Sequence, residues 1–170
     1  MKPMHDLGTL MLGPPRRTLA VAESVTCGRL QARVGRISGA SDFFLGGITA
    51  YSLDQKARHL AVDRAAAAAV NGVSAAVAEQ MARGVCLLFD ADFGVATTGY
   101  AEPYAPLSVA EPFAWWAVAR RGTGGKFDVC SGRADAPGLP RIEAQERFAE
   151  AAEAALIAWL ETTATGAARS

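Results

Sequence analysis

Residues Leu19–Leu30 read LAVAESVTCGRL, and this stretch decides the fold. It begins as an apolar run of good strand formers, and the preceding Pro14-Pro15 pair is incompatible with a helix there. From Thr26 the apolar residues recur at helical spacing until the break SGAS at Ser38–Ser41. The pattern therefore predicts a strand over residues 18–23, a tight turn and then a helix.

The same alternation of strands and helices continues along the rest of the chain. Strands are predicted over residues 43–51, 92–99, 113–120 and 126–132, the last two joined as a hairpin by Gly122–Gly125. Helices are predicted after the N-cap residues Ser52 and Ser74 and from about Arg141 to Thr162. This order predicts the α/β class, as a single three-layer α/β/α domain with a mixed, mostly parallel sheet. We place the domain at residues 18–165, after a short leader at residues 1–17.

Composition and charge exclude several classes of partner. The chain has 17 Lys plus Arg and 17 Asp plus Glu, and neither sign forms a block, which argues against nucleic acid and membrane partners. No apolar run reaches the roughly 20 residues that span a bilayer, and the cysteines form no Cys-x-x-Cys pair. We therefore expect a cytoplasmic protein with reduced thiols and a small-molecule substrate. His5 and His59 lack metal-ligand spacing, so neither a metal nor another cofactor is expected.

Three loops at predicted strand ends carry the residues most suited to chemistry. They begin at Ser24, Tyr51 and Thr98, and α/β folds bind ligands at the carboxyl ends of their strands. Ser24 precedes a helix N-terminus, where an oxyanion or a phosphate is stabilised. Ser24 or Thr26 could equally be a helix cap, and Cys27 could be either a thiolate nucleophile or an ordinary buried cysteine.

The second loop supplies a candidate base for Ser24. Tyr51 ends its strand and Lys56 falls on the first turn or so of the following helix, so both side chains can reach one region. A desolvated lysine can lose its proton near neutral pH and act as general base to a serine. Ser24 and Lys56 then form a dyad, with the Tyr51 hydroxyl holding or relaying the proton. The alternative is that Lys56 is an ordinary solvated lysine.

Four motifs resemble the C-terminal domain of the CinA family, which includes the stand-alone nicotinamide mononucleotide deamidases. In order they are AESVTCG at Ala22–Gly28, GASDFFLGGITAYSLDQK at Gly39–Lys56, GVSAAVAEQMARGV at Gly72–Val85 and ADFGVATTGYAEP at Ala91–Pro103. The resemblance implies a serine amidohydrolase that recycles a pyridine nucleotide without a metal. It would convert nicotinamide mononucleotide and water to nicotinate mononucleotide and ammonia. The family's serine, tyrosine and lysine fall on Ser24, Tyr51 and Lys56.

The resemblance also implies a set of substrate-binding residues. They are Thr26, Cys27 and Gly28, whose backbone N–H groups would stabilise an oxyanion, then Gly99, Tyr100 and Glu102 of the third loop, and Arg133 in the closing motif SGR. A homo-oligomer is favoured by the apolar segment FAWWAVA and by helices rich in small residues.

The chain departs from the family pattern at two places. Where the family reads Glu-Ser-Cys-Thr-Gly-Gly, Val25 replaces the cysteine and Cys27 replaces the first glycine. The loop at residues 99–106 is bulkier than the family's glycine-rich loop, and the Glu102 carboxylate would repel a substrate phosphate if it faced one. Three hypotheses follow: the amidohydrolase, a non-enzymatic nucleotide- or partner-binding domain, and a hydrolase that depends on Cys27.

Overall fold

The computed structural model describes the backbone of residues 6–167 and the side chains of residues 6–163. The five strands are β1 Leu19–Glu23, β2 Phe44–Thr49, β3 Phe93–Tyr100, β4 Phe113–Arg121 and β5 Phe127–Asp135. The helices are α1 Leu7–Leu12, α2 Arg29–Gly35, α3 Leu53–Leu60, α4 Arg64–Ala68, α5 Ala75–Phe89 and α6 Arg141–Ala167. His5 lies outside the described residues.

All five strands form one mixed sheet in the order β2-β1-β3-β4-β5. β1 pairs in parallel with both β2 and β3, whereas β4 pairs antiparallel with β3 and with β5. It follows that β1, β2, β3 and β5 run in one direction and β4 runs in the other. The predicted mixed, mostly parallel sheet and the hairpin are confirmed.

Helices cover both faces of the sheet, which confirms the three-layer α/β/α class. β1 is buried along its whole length and its side chains alternate between two cores. Ala20 and Ala22 join the core under α3 and α5, and Leu19 and Val21 join the core under α2 and α6. A strand buried on both faces has to be apolar throughout, which is why LAVA reads as a continuous run.

The helix α5 lies unusually close to β3. A Cβ atom added to Gly94 would lie 2.1 Å from the carbonyl oxygen of Ala82, so only glycine permits this packing. The close approach fixes the middle of α5 against the N-terminal half of β3. The C-terminal end of the same strand leads into the third loop.

Two helix starts match the predicted caps. Ser52 Oγ accepts from Gln55 N at 3.4 Å, and Ser74 Oγ accepts from Val77 N at 3.1 Å. The helix predicted from Thr26 begins three residues later, at Arg29, because residues 24–28 form the turn.

The segment predicted as a leader contains the helix α1. Its Leu7 and Met11 are buried in the core shared with α6. Asp6 caps this helix by accepting from Thr9 N at 2.9 Å. Within residues 6–167, no helix is both long and apolar enough to cross a membrane.

Candidate active site

Three neighbouring parallel strands end at the same edge of the sheet, and a cavity of about 320 Å³ lies there. The loops that begin at Ser24, Tyr51 and Thr98 meet around it. The cavity is lined by Ser24, Val25, Tyr51, Lys56, Asn71, Gly72, Val73, Thr98, Gly99, Tyr100, Ala101, Glu102, Tyr104 and Arg141. This position agrees with the general location of ligand sites in open α/β sheets.

Ser24 and Lys56 form a buried, directly hydrogen-bonded pair. Lys56 Nζ lies 2.8 Å from Ser24 Oγ and also donates to the backbone carbonyl of Tyr51 at 2.8 Å. Ser24 is 7% exposed and Lys56 is 4% exposed. The alternative of an ordinary solvated lysine is therefore wrong.

The position of Ser24 is set by the backbone. Its N–H extends the pairing of β1 with β3 by donating to the carbonyl of Thr97 at 3.0 Å. The carbonyl of the preceding residue, Glu23, accepts from Ala50 N at 2.9 Å. Since both neighbouring strands hold this turn, the Ser24 hydroxyl is directed into the cavity by the sheet itself.

Burial changes the chemistry of Lys56. Desolvation lowers the pKa of its ammonium from 10.5 to about 8, because the charged form loses contact with water. At pH 8 about half of the lysine is then neutral. In the protonated form Nζ donates to Ser24 Oγ, and in the neutral form the same nitrogen can accept the proton of the Ser24 hydroxyl.

Tyr51 contributes to the pair through its backbone and not through its hydroxyl. The residue is 55% exposed, and its hydroxyl accepts from Arg141 Nη2 at 3.1 Å. Lys56 instead contacts the carbonyl oxygen of Tyr51. The expected relay through the tyrosine hydroxyl is therefore absent from this arrangement of the described side chains.

Arg141 is a cavity residue that the sequence reasoning missed. It is the first residue of α6, and its Nη1 donates to Glu102 Oε1 at 3.0 Å while its Nη2 contacts Tyr51. A cation at a helix N-terminus opposes the helix dipole. An arginine at this predicted helix start was therefore a sign in the sequence that the residue has a role other than stabilising the helix.

The third loop meets the cavity as expected at Gly99, Tyr100 and Glu102. Asn71 Nδ2 donates to the Tyr100 hydroxyl at 3.0 Å, and Thr98 Oγ1 donates to the Gly72 carbonyl at 2.7 Å. Sequence reasoning treated Asn71 and Gly72 only as a turn. The two hydrogen bonds make that turn part of the cavity wall.

Four of the predicted substrate-binding residues do not line the cavity. Thr26 is fully buried, and its hydroxyl is hydrogen-bonded to Glu23 and Thr97. Cys27 and Gly28 lie in the turn after β1, where the Cys27 side chain is exposed and Cys27 N donates to the Ser24 carbonyl at 3.2 Å. Arg133 lies on β5, above the Phe113 ring and paired with Asp135.

Glu23 organises the turn that presents Ser24. This carboxylate is fully buried and accepts from the Thr26 hydroxyl, from Leu30 N and from Gln31 Nε2. A buried carboxylate is stable only when its oxygens are hydrogen-bonded, as they are here. Sequence reasoning gave Glu23 no role, although a carboxylate ending an apolar strand was a signal for one.

Cys27 occupies a backbone conformation that suits glycine. Its φ is 46°, in the left-handed region, and its side chain is exposed. We expect Cys27→Gly to raise the free energy of unfolding by about 1 kcal/mol, because glycine adopts this conformation without strain. Chemical denaturation measures this change. Cys27→Ala is the matched control, since it keeps the Cβ atom and should stay within about 0.5 kcal/mol of wild type; a destabilised Cys27→Gly variant would contradict the prediction.

Comparison with known proteins supports the family resemblance over most of the chain. The profile of the CinA C-terminal domain matches residues 4–160. CinA-like proteins from Picosynechococcus sp. and Frankia casuarinae are 46% and 48% identical over 55% and 51% of this chain. These matches cover 22% and 20% of the relatives, so they span about a fifth of each relative's length.

Solved structures of the same family share the fold. Competence damage-inducible protein A from Klebsiella pneumoniae is 26% identical, with a TM-score of 0.77 over 90% of both chains. A CinA superfamily protein from Enterobacter cloacae is 25% identical, with a TM-score of 0.79 over 91% of this chain and 88% of that one. Profile and fold agree, and this chain belongs to the CinA C-terminal domain family.

Proposed function

We propose that this chain is a serine amidohydrolase of the nicotinamide mononucleotide deamidase type. The observation that carries the proposal is the buried contact of 2.8 Å between Lys56 Nζ and Ser24 Oγ at the floor of a cavity. A serine next to an amine of lowered pKa is the arrangement that a Ser/Lys hydrolase needs. No step of the reaction requires a metal or a cofactor.

The reaction begins with attack by Ser24 on the substrate carboxamide. Neutral Lys56 takes the hydroxyl proton as the Ser24 oxygen bonds to the carboxamide carbon, which gives a tetrahedral oxyanion. The ammonium formed on Lys56 then gives its proton to the departing nitrogen, and ammonia leaves an acyl-enzyme. Water, deprotonated by Lys56, attacks the ester and releases nicotinate mononucleotide and free Ser24. The sum is one amide and one water consumed, and one carboxylate and one ammonium formed.

Arg141 and Tyr51 would act on the substrate and not on the proton. Their side chains meet above the dyad, at the cavity mouth, with the Tyr51 hydroxyl held by Arg141. A fixed pair of donors there can orient the part of the substrate that does not react. This role for Tyr51 replaces the proton relay that was expected from the positions of Ser24, Tyr51 and Lys56 in the sequence.

Ammonia release from nicotinamide mononucleotide tests the proposal. Purified protein should release one ammonia per nicotinate mononucleotide, with no effect of a metal chelator. Alkylation of Cys27, which is exposed and outside the cavity lining, should leave the rate unchanged. Loss of activity on alkylation of wild type but not of the Cys27→Ala variant would favour the thiol-dependent hydrolase instead. The absence of amide hydrolysis at every pH from 6 to 10 would disprove the proposal.

A second candidate, a binding domain without turnover, is favoured by one observation. Glu102 and Tyr104 line the cavity beside Ser24, where the family pattern has small residues. Tyr104 stacks on Tyr100 with ring centroids 5.7 Å apart, which stiffens this wall. Binding of the mononucleotide without ammonia release would establish this candidate in place of the amidohydrolase.

A further inference from the structure

The carboxylate of Glu102 forms an ion pair with the guanidinium of Arg141 at the mouth of the cavity. Arg141 Nη1 donates to Glu102 Oε1 at 3.0 Å, and both side chains line the cavity. The pair is partly exposed, with side-chain exposures of 44% for Arg141 and 62% for Glu102. Each group therefore remains within reach of a ligand that enters.

The charges around the cavity leave no free cation for a phosphate. Its charged lining residues, within the part of the chain that the structure describes, are Lys56, Glu102 and Arg141. Lys56 is buried and hydrogen-bonded to Ser24 and to the Tyr51 carbonyl. At the more exposed part of the cavity, Arg141 and Glu102 balance each other. A phosphate monoester carries close to two negative charges at neutral pH. It would have to compete with Glu102 for Arg141 and would be repelled by the displaced carboxylate.

The same wall suits a cationic ring. Tyr100 and Tyr104 stack nearly parallel, at 13° between ring planes, and both line the cavity beside Glu102. Tyrosine faces attract cations, and a nearby carboxylate adds to that attraction. A pyridinium ring is therefore attracted by this wall, whereas a phosphate attached to it would be repelled by Glu102.

We propose that Glu102 makes this site selective for a pyridinium carboxamide whose ring substituent carries no phosphate. The nucleoside form of the substrate, nicotinamide riboside, has this chemistry, and the mononucleotide differs from it by the phosphate alone. The inference rests on the proposed amide hydrolysis and names the substrate class of the same site. Glu102 is its specificity-determining residue.

Hydrolysis of the two substrates by three proteins tests the inference. Wild type should have the higher kcat/KM for nicotinamide riboside. Glu102→Gln should shift the ratio of the two kcat/KM values toward the mononucleotide by about tenfold, the effect of one partly exposed charge on a dianion. The shift should lie mainly in KM for the mononucleotide. Glu143→Gln is the matched control, because it removes the same charge on the first turn of α6 outside the cavity lining and should leave the ratio unchanged.

Binding separates a failure of this inference from a failure of the proposed function. Ser24→Ala cannot form the acyl-enzyme, so calorimetry on Ser24→Ala and on Ser24→Ala/Glu102→Gln gives dissociation constants for both compounds without turnover. Ser24→Ala should bind nicotinamide riboside more tightly than the mononucleotide. Ser24→Ala/Glu102→Gln should shift the ratio of the two dissociation constants toward the mononucleotide by about tenfold. If wild type hydrolyses neither compound, the proposed function fails and these affinities still decide the inference. A wild-type preference for the mononucleotide, or a ratio that Glu102→Gln leaves within about twofold, overturns it.

Discussion

Ser24→Ala is expected to reduce amide hydrolysis by about 10⁴-fold or more, to the limit of detection. The reason is that the Ser24 oxygen forms the acyl bond and that, among the described cavity residues, Ser24 has the hydroxyl to which Lys56 is hydrogen-bonded. Its contact with Lys56 at 2.8 Å already joins nucleophile and base. Steady-state ammonia release measures the loss, and mass spectrometry of acid-quenched wild type should show the acyl adduct on the peptide that contains Ser24.

The control for this variant is Ser41→Ala. Ser41 is exposed in a short 3₁₀ turn, at Ala40–Asp42, and does not line the cavity. It should retain wild-type activity. Ser24→Ala should remain folded, because Lys56 keeps its hydrogen bond to the Tyr51 carbonyl. Activity of folded Ser24→Ala close to wild type would disprove the serine mechanism.

Lys56→Met is expected to lower kcat/KM by about 10³-fold, the middle of the range for loss of a general base. Methionine has a similar length but no basic nitrogen. In wild type, kcat/KM should rise with pH and level off above about pH 8, because the reactive form of Lys56 is the neutral amine and burial lowers the pKa to about 8. The pH profile of ammonia release at saturating and limiting substrate measures both effects.

Lys56→Arg distinguishes a base from a simple cation. Arginine keeps the positive charge but stays protonated at all accessible pH values. It should therefore be as inactive as Lys56→Met and should show no rise in rate near pH 8. A Lys56→Arg variant with substantial activity and the wild-type pH profile would rule out general-base catalysis by Lys56.

The dependence of the protein's stability on pH should reflect the same lowered pKa of Lys56. Because the pKa of Lys56 is about 8 when folded and 10.5 in its ordinary state, the unfolded chain binds more protons between these values. The free energy of unfolding from this group therefore rises with pH from about 8 to 10.5. Denaturation of wild type and Lys56→Met measures this effect as a difference in the free energy of unfolding, which should grow in favour of wild type across this range because the other groups titrate in both proteins.

The fold was largely predictable because its signals are local. The run LAVA is apolar because β1 is buried on both faces, and Ser52 and Ser74 cap helices through contacts three residues away. The predicted boundary was wrong where side-chain hydrogen bonds take the place of backbone hydrogen bonds of a helix. Thr26 was expected to begin a helix, but its hydroxyl bonds to Glu23 and Thr97 inside the turn.

The candidate site was predictable only in part. Parallel strand ends meet at one edge of a sheet, so Ser24 and Lys56 could be paired from their positions at two such ends. Cys27 could likewise be recognised as standing where a glycine conformation is needed, and its φ of 46° agrees. Motif spacing did not reveal that the Tyr51 hydroxyl meets Arg141, since those residues are 90 positions apart.

The sequence by itself determined the order of strands and helices, the family and the pairing of Ser24 with Lys56. Periodicity and motif spacing report these properties because they depend on neighbours in the chain or on the regular geometry of a sheet. The tertiary structure alone decided that Lys56 is buried with a lowered pKa, that Thr26 and Arg133 lie outside the cavity and that Glu102 meets Arg141. Burial, pKa and ion pairing depend on atoms brought together from distant parts of the chain, so no local pattern specifies them.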